Sequence, residues 1–406
     1  MEFPTAVNTN EKHTEEAGKG DRYDMRNGLF PKRLTMAMWD QAYILRHIPG
    51  GSYADYDKVL DETIERGYNT VRLDPMPHLI DLNHPEQILV WPEAHLTYMP
   101  WYTDRGMQCP AGLWMIEFME KLLRRKLHYT LSCWWYSLAA MGPVPPQTPR
   151  THIEAAQMYA QMLEIWEKRF GFEGLVYVDI ANEVPYFLPD YAKTLKDKAG
   201  LDWGLGADLT AEQIAFIQSD LNAGLALLRD RFPELRFTYS THADTRWMDM
   251  GVEFDCLDVH FWADADPRWL QRTRFHDMIK PNTFIDEWPM FCESGGYKAF
   301  SDRCKKTSAA VRPMLRARQR QKLAVFSDWA KRKGMPLTTS ESWASWFYCD
   351  HPDLDWAWLL SWAEESVEDA IEFGMWGWTP HNYVQPHFKN WHDVKWHQRL
   401  TQQFLK

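Results

Sequence analysis

The stretch VYVDIANEVPYF, residues 176–187, starts as a strand and ends as something else. Val176, Val178 and Ile180 alternate with Tyr177 and Asp179, the period-two pattern of extended chain. Ala181 then leads into Asn182 and Glu183, and Pro185 breaks the run. An amide and a carboxylate suit the end of a buried strand only if a cleft begins there. The dipeptide alone carries little weight. Ordinary residue usage yields about one Asn-Glu pair in a chain of this size, and a second, Asn10-Glu11, sits in the polar N-terminal segment. What flanks Glu183 decides.

On both sides, strand-like and helix-like segments alternate. Strands are predicted at 33–40 (RLTMAMWD), 70–77 (TVRLDPMP), 128–136 (HYTLSCWWY), 174–183, 236–244 (RFTYSTHAD), 256–262 (CLDVHFW), 335–343 (MPLTTSESW) and 375–383 (MWGWTPHNY). Helices are predicted between them. One lies within 52–69, with Ser52 as N-cap and Gly67 as stop; 113–126 follows, with basic residues near its end. The helix of 148–170 has Thr148 as N-cap and Pro149 at its first position; that of 210–232 has a Thr210/Gln213 capping box. The last two are 308–334, in which Pro313 marks an early position or a break, and 353–374. NTFIDEWPMF, 282–291, competes with 335–343 for the seventh strand; eight strands are preferred, which leaves 282–291 inside an insertion around 263–305.

Such alternation implies parallel strands joined by crossover helices, and eight units close a barrel. The expected fold class is α/β, a (β/α)8 TIM barrel forming one catalytic domain over 29–406 with long loops on its C-terminal face. Residues 1–28 form a polar tail expected to be disordered. A doubly wound sheet lacks support, because no G-x-G-x-x-G opens a helix.

The formal net charge of -11 argues against nucleic acid as a partner, since phosphate binding needs a basic surface. No apolar run reads as a signal peptide or is long enough to span a membrane. The expectation is a cytoplasmic protein, or a secreted one if a native signal has been removed. Six widely spaced cysteines without C-x-x-C read as free thiols rather than disulfides or zinc ligands. The 22 tryptophans are many, and Trp is awkward filler because a buried indole N–H needs a partner. A subset near strand ends is expected to stack on sugar rings.

In a barrel of this type the chemistry sits at the C-terminal strand ends. Those ends hold Trp39 and Asp40, Arg72 and Asp74, Trp134 and Trp135, Asn182 and Glu183, His242, His260 and Trp262, Glu341 and Trp343, Trp376 and Trp378. Glu183 and Glu341 make a carboxylate pair around an aromatic cleft, the equipment for glycoside hydrolysis. Arg72, if near Glu341, would hold that group ionised. Substrate contacts are expected from Asn182, Arg72, Trp39, Trp135, His242, His260, Trp262, Trp376 and Trp378. Glu287, beside Asp286 in FIDEWPMF, is the rival to Glu341.

These motifs resemble those of the clan A, cellulase-like glycoside hydrolases, which have a barrel of eight β/α units. The resemblance covers roughly residues 30 to 400 as a pattern of short motifs. It implies that Glu183 is the acid/base and Asn182 the contact to a sugar 2-hydroxyl. It implies that Glu341 in PLTTSESW is the nucleophile of a retaining reaction, supported by Arg72 in TVRLDP. It also implies that Trp378 or Trp376 floors the sugar subsite, and that His260 in HFW matches the His near the strand-six end. The pattern departs where the clan usually places a Tyr bonded to the nucleophile: here stands Trp262, which can donate only through its indole N–H. The expected partner is a carbohydrate, with no cofactor and no metal. Two other functions remain open from the residues. One is a metal-dependent sugar isomerase or epimerase using Glu183, His242, His260 and Glu341 as ligands. The other is a non-catalytic carbohydrate-binding barrel.

Overall fold

The computed structural model describes residues 30–91, 106–135, 148–185, 188, 191–200, 209–263, 266–274, 296–345, 348 and 350–406. Strand β1 (Leu34–Asp40) is buried along its whole length and pairs in parallel with β2 (Thr70–Leu73). Its sequence, LTMAMWD, offers apolar residues to both faces, as a strand covered on both sides requires. An antiparallel hairpin, β3 (Leu89–Trp91) with β4 (Met107–Cys109), stands apart. The main sheet continues from β2 through β5 (His128–Ser132) and β6 (Leu175–Asp179) to β7 (Phe237–Thr238), each pairing parallel.

After a break at Tyr239 and Ser240, β8 (Thr241–His242) resumes the fifth strand and pairs with β9 (Leu257–Trp262). β10 (Leu337–Thr338) and β11 (Ser342–Trp343) both pair with β9 as two halves of the seventh strand. β12 (Gly377–Trp378) pairs with β1. Backbone bonds from Trp376 to Leu337 (2.7 Å) and from Thr339 to Gly377 (3.2 Å) tie it to β10. The circle closes in sequence order, and the chain is a (β/α)8 barrel.

The fifth and seventh strands depart from the expected continuous runs for one physical reason. Ser240 N–H donates to Asp179 Oδ1 of the fourth strand at 2.7 Å, and Ser340 N–H to Asp258 Oδ1 of the sixth at 2.8 Å. In each case a buried carboxylate on the neighbouring strand takes a backbone donor that a regular ladder would have used. The chain is thereby bent just before His242 in one strand and Glu341 in the other.

Ten helices are described: α1 (Ala42–Leu45), α2 (Tyr56–Glu65), α3 (Ala111–Arg124), α4 (His152–Phe170), α5 (Tyr191–Ala199), α6 (Ala211–Arg231), α7 (Pro267–Thr273), α8 (Tyr297–Lys333), α9 (Ala357–Glu372) and α10 (Val394–Leu405). The Thr210/Gln213 capping box of α6 forms in both directions. Two other caps move inward: Asp55 rather than Ser52 receives the Lys58 N–H, and Thr151 rather than Thr148 receives that of Glu154. Helix α8 begins at Tyr297, not 308, and runs straight through Pro313. Arg312 pairs with Glu365, Arg316 with Glu365, Glu368 and Asp369, and Arg320 with Asp369 and Glu372, a ladder locking α8 to α9. None of the helices among the described residues is long and apolar enough to cross a membrane. The tail 1–28, the candidate strand 282–291 and Glu287 lie outside the described residues.

Candidate active site

Glu183 leaves the fourth strand on a left-handed turn, with φ 46°. A non-glycine residue adopts that conformation only where its surroundings impose it. Here the Glu183 N–H is held by Ser240 Oγ at 2.9 Å, the Val184 N–H by the Ser240 carbonyl at 3.0 Å, and the Asn182 N–H by the Cys133 carbonyl at 2.9 Å. The turn aims the carboxylate into the mouth of the barrel. Asp40 and Trp135, at the ends of the first and third strands, take the same turn, with φ 43° and 48°.

Three N–H groups converge on Glu183. His260 Nδ1 lies 2.8 Å from Oε1, Trp262 Nε1 donates to Oε1 at 3.2 Å, and His242 Nε2 lies 3.3 Å from Oε2. Burial works against its charge, but the two histidines outweigh it and hold the carboxyl well below the usual range. For His260, burial opposes the proton. The nearby Glu341 carboxylate and the hydrogen bond to Glu183 overcome this and keep the imidazole protonated up to about 9. The pair thus carries one proton, and at rest it sits on His260.

Glu341 faces this group across the mouth. Arg72 Nη1 donates to Glu341 Oε1 at 2.6 Å, and Asn382 Nδ2 donates to Oε2 at 3.2 Å. His260 Nδ1 is also 4.0 Å from Glu341 Oε2, so this histidine stands between the two carboxylates. An oxygen of Glu183, a nitrogen of His260 and an oxygen of Glu341 all lie within 4.8 Å of one another.

Arg72 organises the floor. It is fully buried. Besides Glu341 it donates to Ser340 Oγ (3.2 Å), Ser132 Oγ (3.0 Å) and Asn182 Oδ1 (2.6 Å). Ser240 Oγ donates to the same Asn182 oxygen at 3.2 Å. The amide is therefore oriented with Nδ2 as its unspent donor. Below lies a layer of carboxylates. Asp179, which receives Ser132 Oγ and Ser240 N–H, is pushed up to about 7 by burial and by Asp258, against the pull of Arg72. Asp74, which receives backbone N–H groups of Trp134 and Met76 and the Gln41 amide, is pushed up to about 6 by burial.

Among the residues expected at the site, Glu183, Glu341, Asn182, Arg72, His242, His260 and Trp262 come together. Trp262 does not take the place of a Tyr on Glu341; it donates to Glu183, and Asn382 supplies the side-chain amide donor on Glu341 instead. The other four tryptophans are not brought to the pair. Trp39 packs on Tyr53 and on Phe118 of α3 and donates to the Val384 carbonyl. Trp135 packs on Tyr159 of α4 and donates to the Ile180 carbonyl. Trp378 packs on Phe404 of α10 and donates to Ser366 of α9. Trp376 lies at the opposite, N-terminal end of the strands, bonded to the Pro31 carbonyl. Trp39, Trp135 and Trp378 are fully buried in the outer wall with indole N–H groups satisfied, so they serve packing and not sugar stacking. Asn382, Asp179, Asp258 and the three serines were not anticipated. Asn382 was within reach, since it lies in the strand predicted at 375–383.

No curated protein matches the chain by sequence. Among solved structures, a provisional glycoside hydrolase from Parabacteroides distasonis superposes with a TM-score of 0.74 at 24% identity, covering 92% of this chain and 94% of that one. The hyperthermophilic endocellulase of Pyrococcus horikoshii aligns over 91% and 92% of the two chains at 12% identity, with a TM-score of 0.48. The model of one family, described as sugar-binding cellulase-like, matches residues 36–405. The protein belongs to this cellulase-like family of glycoside hydrolases.

Proposed function

We propose that the protein cleaves a glycosidic bond of an oligosaccharide or glycoside with retention of configuration, with Glu341 as nucleophile and Glu183 as acid/base. The observation that carries this reading is the spacing of the pair. Oxygens of the two carboxylates lie within 4.8 Å of one another. That suits direct attack on an anomeric carbon, for which carboxyl groups about 5–5.5 Å apart are usual; an inverting pair stands about 6.5–9.5 Å apart to admit a water.

In this reaction Glu341, ionised and steadied by Arg72 and Asn382, attacks the anomeric carbon. The leaving oxygen takes a proton from Glu183. That proton rests on His260 until substrate excludes water from the mouth, which favours the neutral pair of Glu183 acid and imidazole. Glu183, again ionised, then draws a proton from water, which displaces Glu341. Asn182 Nδ2 is available to a hydroxyl next to the anomeric centre.

The same cluster supports a second reading, a divalent-cation site of an isomerase held by Glu183, His260 and Glu341. The Arg72 guanidinium at 2.6 Å from Glu341 weighs against it, because a fixed cation already occupies that carboxylate. The test is a panel of 4-nitrophenyl glycosides with the product anomer followed by NMR, run with and without EDTA. Glu183→Gln and Glu341→Gln should each lower turnover by orders of magnitude. First formation of the inverted anomer, or full activity in Glu341→Gln, would sink the retaining reading; a fall in melting temperature on chelation, with no turnover of any glycoside, would favour the isomerase.

A further inference from the structure

Arg72 faces more acid than it can neutralise. Its Nη1 is 2.6 Å from Glu341 and its Nε is 3.2 Å from Asp40 Oδ1. The Nε contact has the distance of an ion pair but not the direction of a hydrogen bond, and both atoms lack any other partner. The second Asp40 oxygen receives the Trp134 indole N–H at 2.7 Å. The Trp134 backbone N–H goes to Asp74, which also receives the Gln41 amide. Asp40, Asp74 and Glu341 thus crowd one guanidinium in a fully buried space, and Asp40 is held there by its left-handed backbone.

We propose that Asp40 is a positioning residue for the nucleophile, competing with Glu341 and Asn182 for the Arg72 guanidinium. The inference rests on the reading of Glu341 as nucleophile. While Asp40 is neutral, the cation leans on Glu341 and Asn182, the two groups that meet the sugar. When Asp40 ionises, it draws the guanidinium toward β1, and both contacts loosen together. The groups that face Asp40 are Arg72, Asp74, Glu341, the Trp134 N–H and, further off, the Tyr53 phenol. Burial dominates and keeps Asp40 neutral up to about 8; Arg72 and Trp134 oppose it, while Glu341 and Asp74 reinforce it. Asp40 exchanges no proton with substrate, and it acts only through Arg72.

The test is the pH dependence of kcat/KM for wild type and Asp40→Asn on 4-nitrophenyl glycosides, with melting temperatures over the same range. Asp40→Asn cannot ionise. It should keep kcat/KM within about threefold at pH 6 and exceed wild type by about tenfold at pH 9, because one pH unit past an ionisation is a tenfold change. The difference should lie in kcat. The melting readout needs no turnover. Asp40 is neutral in the folded protein and ionised in the unfolded chain between about pH 4 and 8. Wild type should therefore lose melting temperature relative to Asp40→Asn across that window, and the gap should be constant above it. Trp134→Phe withdraws a donor that favours ionised Asp40, so it should move the same limb upward if Asp40→Asn folds poorly. An unchanged alkaline limb, or a pH-independent gap in melting temperature, overturns the proposal. Glu341→Gln separates the two readings. If it stays active, the assignment of the nucleophile fails. If it is inactive while Asp40→Asn keeps the wild-type limb, only the role of Asp40 fails.

Discussion

Replacing His260 with Asn tests where the catalytic proton is kept. Holding the His260 proton up to about 9, against an ordinary value near 6.5, corresponds to a net of about 3 kcal/mol in favour of the charged imidazole, after Glu341, Glu183 and Asp258 have overcome the cost of burial. The sign is fixed by direction. The Glu183–His260 pair holds its proton below about 9 and loses it above, so on the proposed mechanism general-acid catalysis belongs to the acid side of that value. In His260→Asn the cation is gone, and Glu183 alone must hold the proton, with His242 and Trp262 still favouring its charge. The alkaline limb of kcat/KM should fall by at least about two pH units, from about 9 to about 7 or below, which is at least about a tenfold loss at pH 8 beyond any loss seen at pH 5. At pH 5 the loss should be about tenfold or less, reflecting only poorer orientation of Glu183. The assay is kcat/KM on a 4-nitrophenyl glycoside from pH 4 to 10, with circular dichroism to confirm the fold at each pH. A variant limb within about half a pH unit of wild type would refute the shared proton.

Three further outcomes follow from the geometry. Arg72→Met leaves Glu341 and Asn182 without their common donor and Asp40 without its counter-ion, and should cost about 3–5 kcal/mol in chemical denaturation, whereas Arg72→Lys should fold but lose turnover, because an ammonium cannot reproduce the fork. Trp378→Ala should cost about 3–5 kcal/mol of stability while leaving KM unchanged under conditions where it stays folded; a large rise in KM would restore Trp378 as a sugar platform. Gly377→Ala places a Cβ against Thr338 Oγ1 and within 3.1 Å of the Met36 methyl, where β12 closes the barrel, and should cost about 1–3 kcal/mol, read as a lower urea midpoint with unchanged slope.

Much of this arrangement was legible in the chain because strand ends are legible. The alternation from Val176 to Ile180 fixes which way Asp179 points, and Pro185 marks where the strand must stop, so Glu183 had to stand at the mouth. Arg72 followed from the same logic in TVRLDP. The tryptophans misled because position at a strand end does not determine side. Trp39 and Asp40 are adjacent, and the period of two sends one outward to α3 and the other inward to Arg72. Applied residue by residue, that rule also predicts Trp378 outside. The breaks in the fifth and seventh strands were hidden for a different reason. They depend on Asp179 and Asp258 capturing backbone donors on neighbouring strands, a pairing that exists only after the sheet has formed. Asn382 was within reach by position, in the run predicted at 375–383, but its contact with Glu341 forms only between adjacent barrel strands.

The left-handed turns at Asp40 and Glu183 set stability against activity in this barrel. Each such non-glycine residue costs on the order of 1 kcal/mol that glycine would not pay. Selection for melting temperature alone would therefore drift toward glycine at the rim of the barrel, one position at a time, with the scaffold improving as the carboxylates vanish. A library screened for thermostability without an activity counter-screen should be enriched in these losses, alongside glycine at Lys126 and Arg274, left-handed positions at helix ends away from the carboxylate pair.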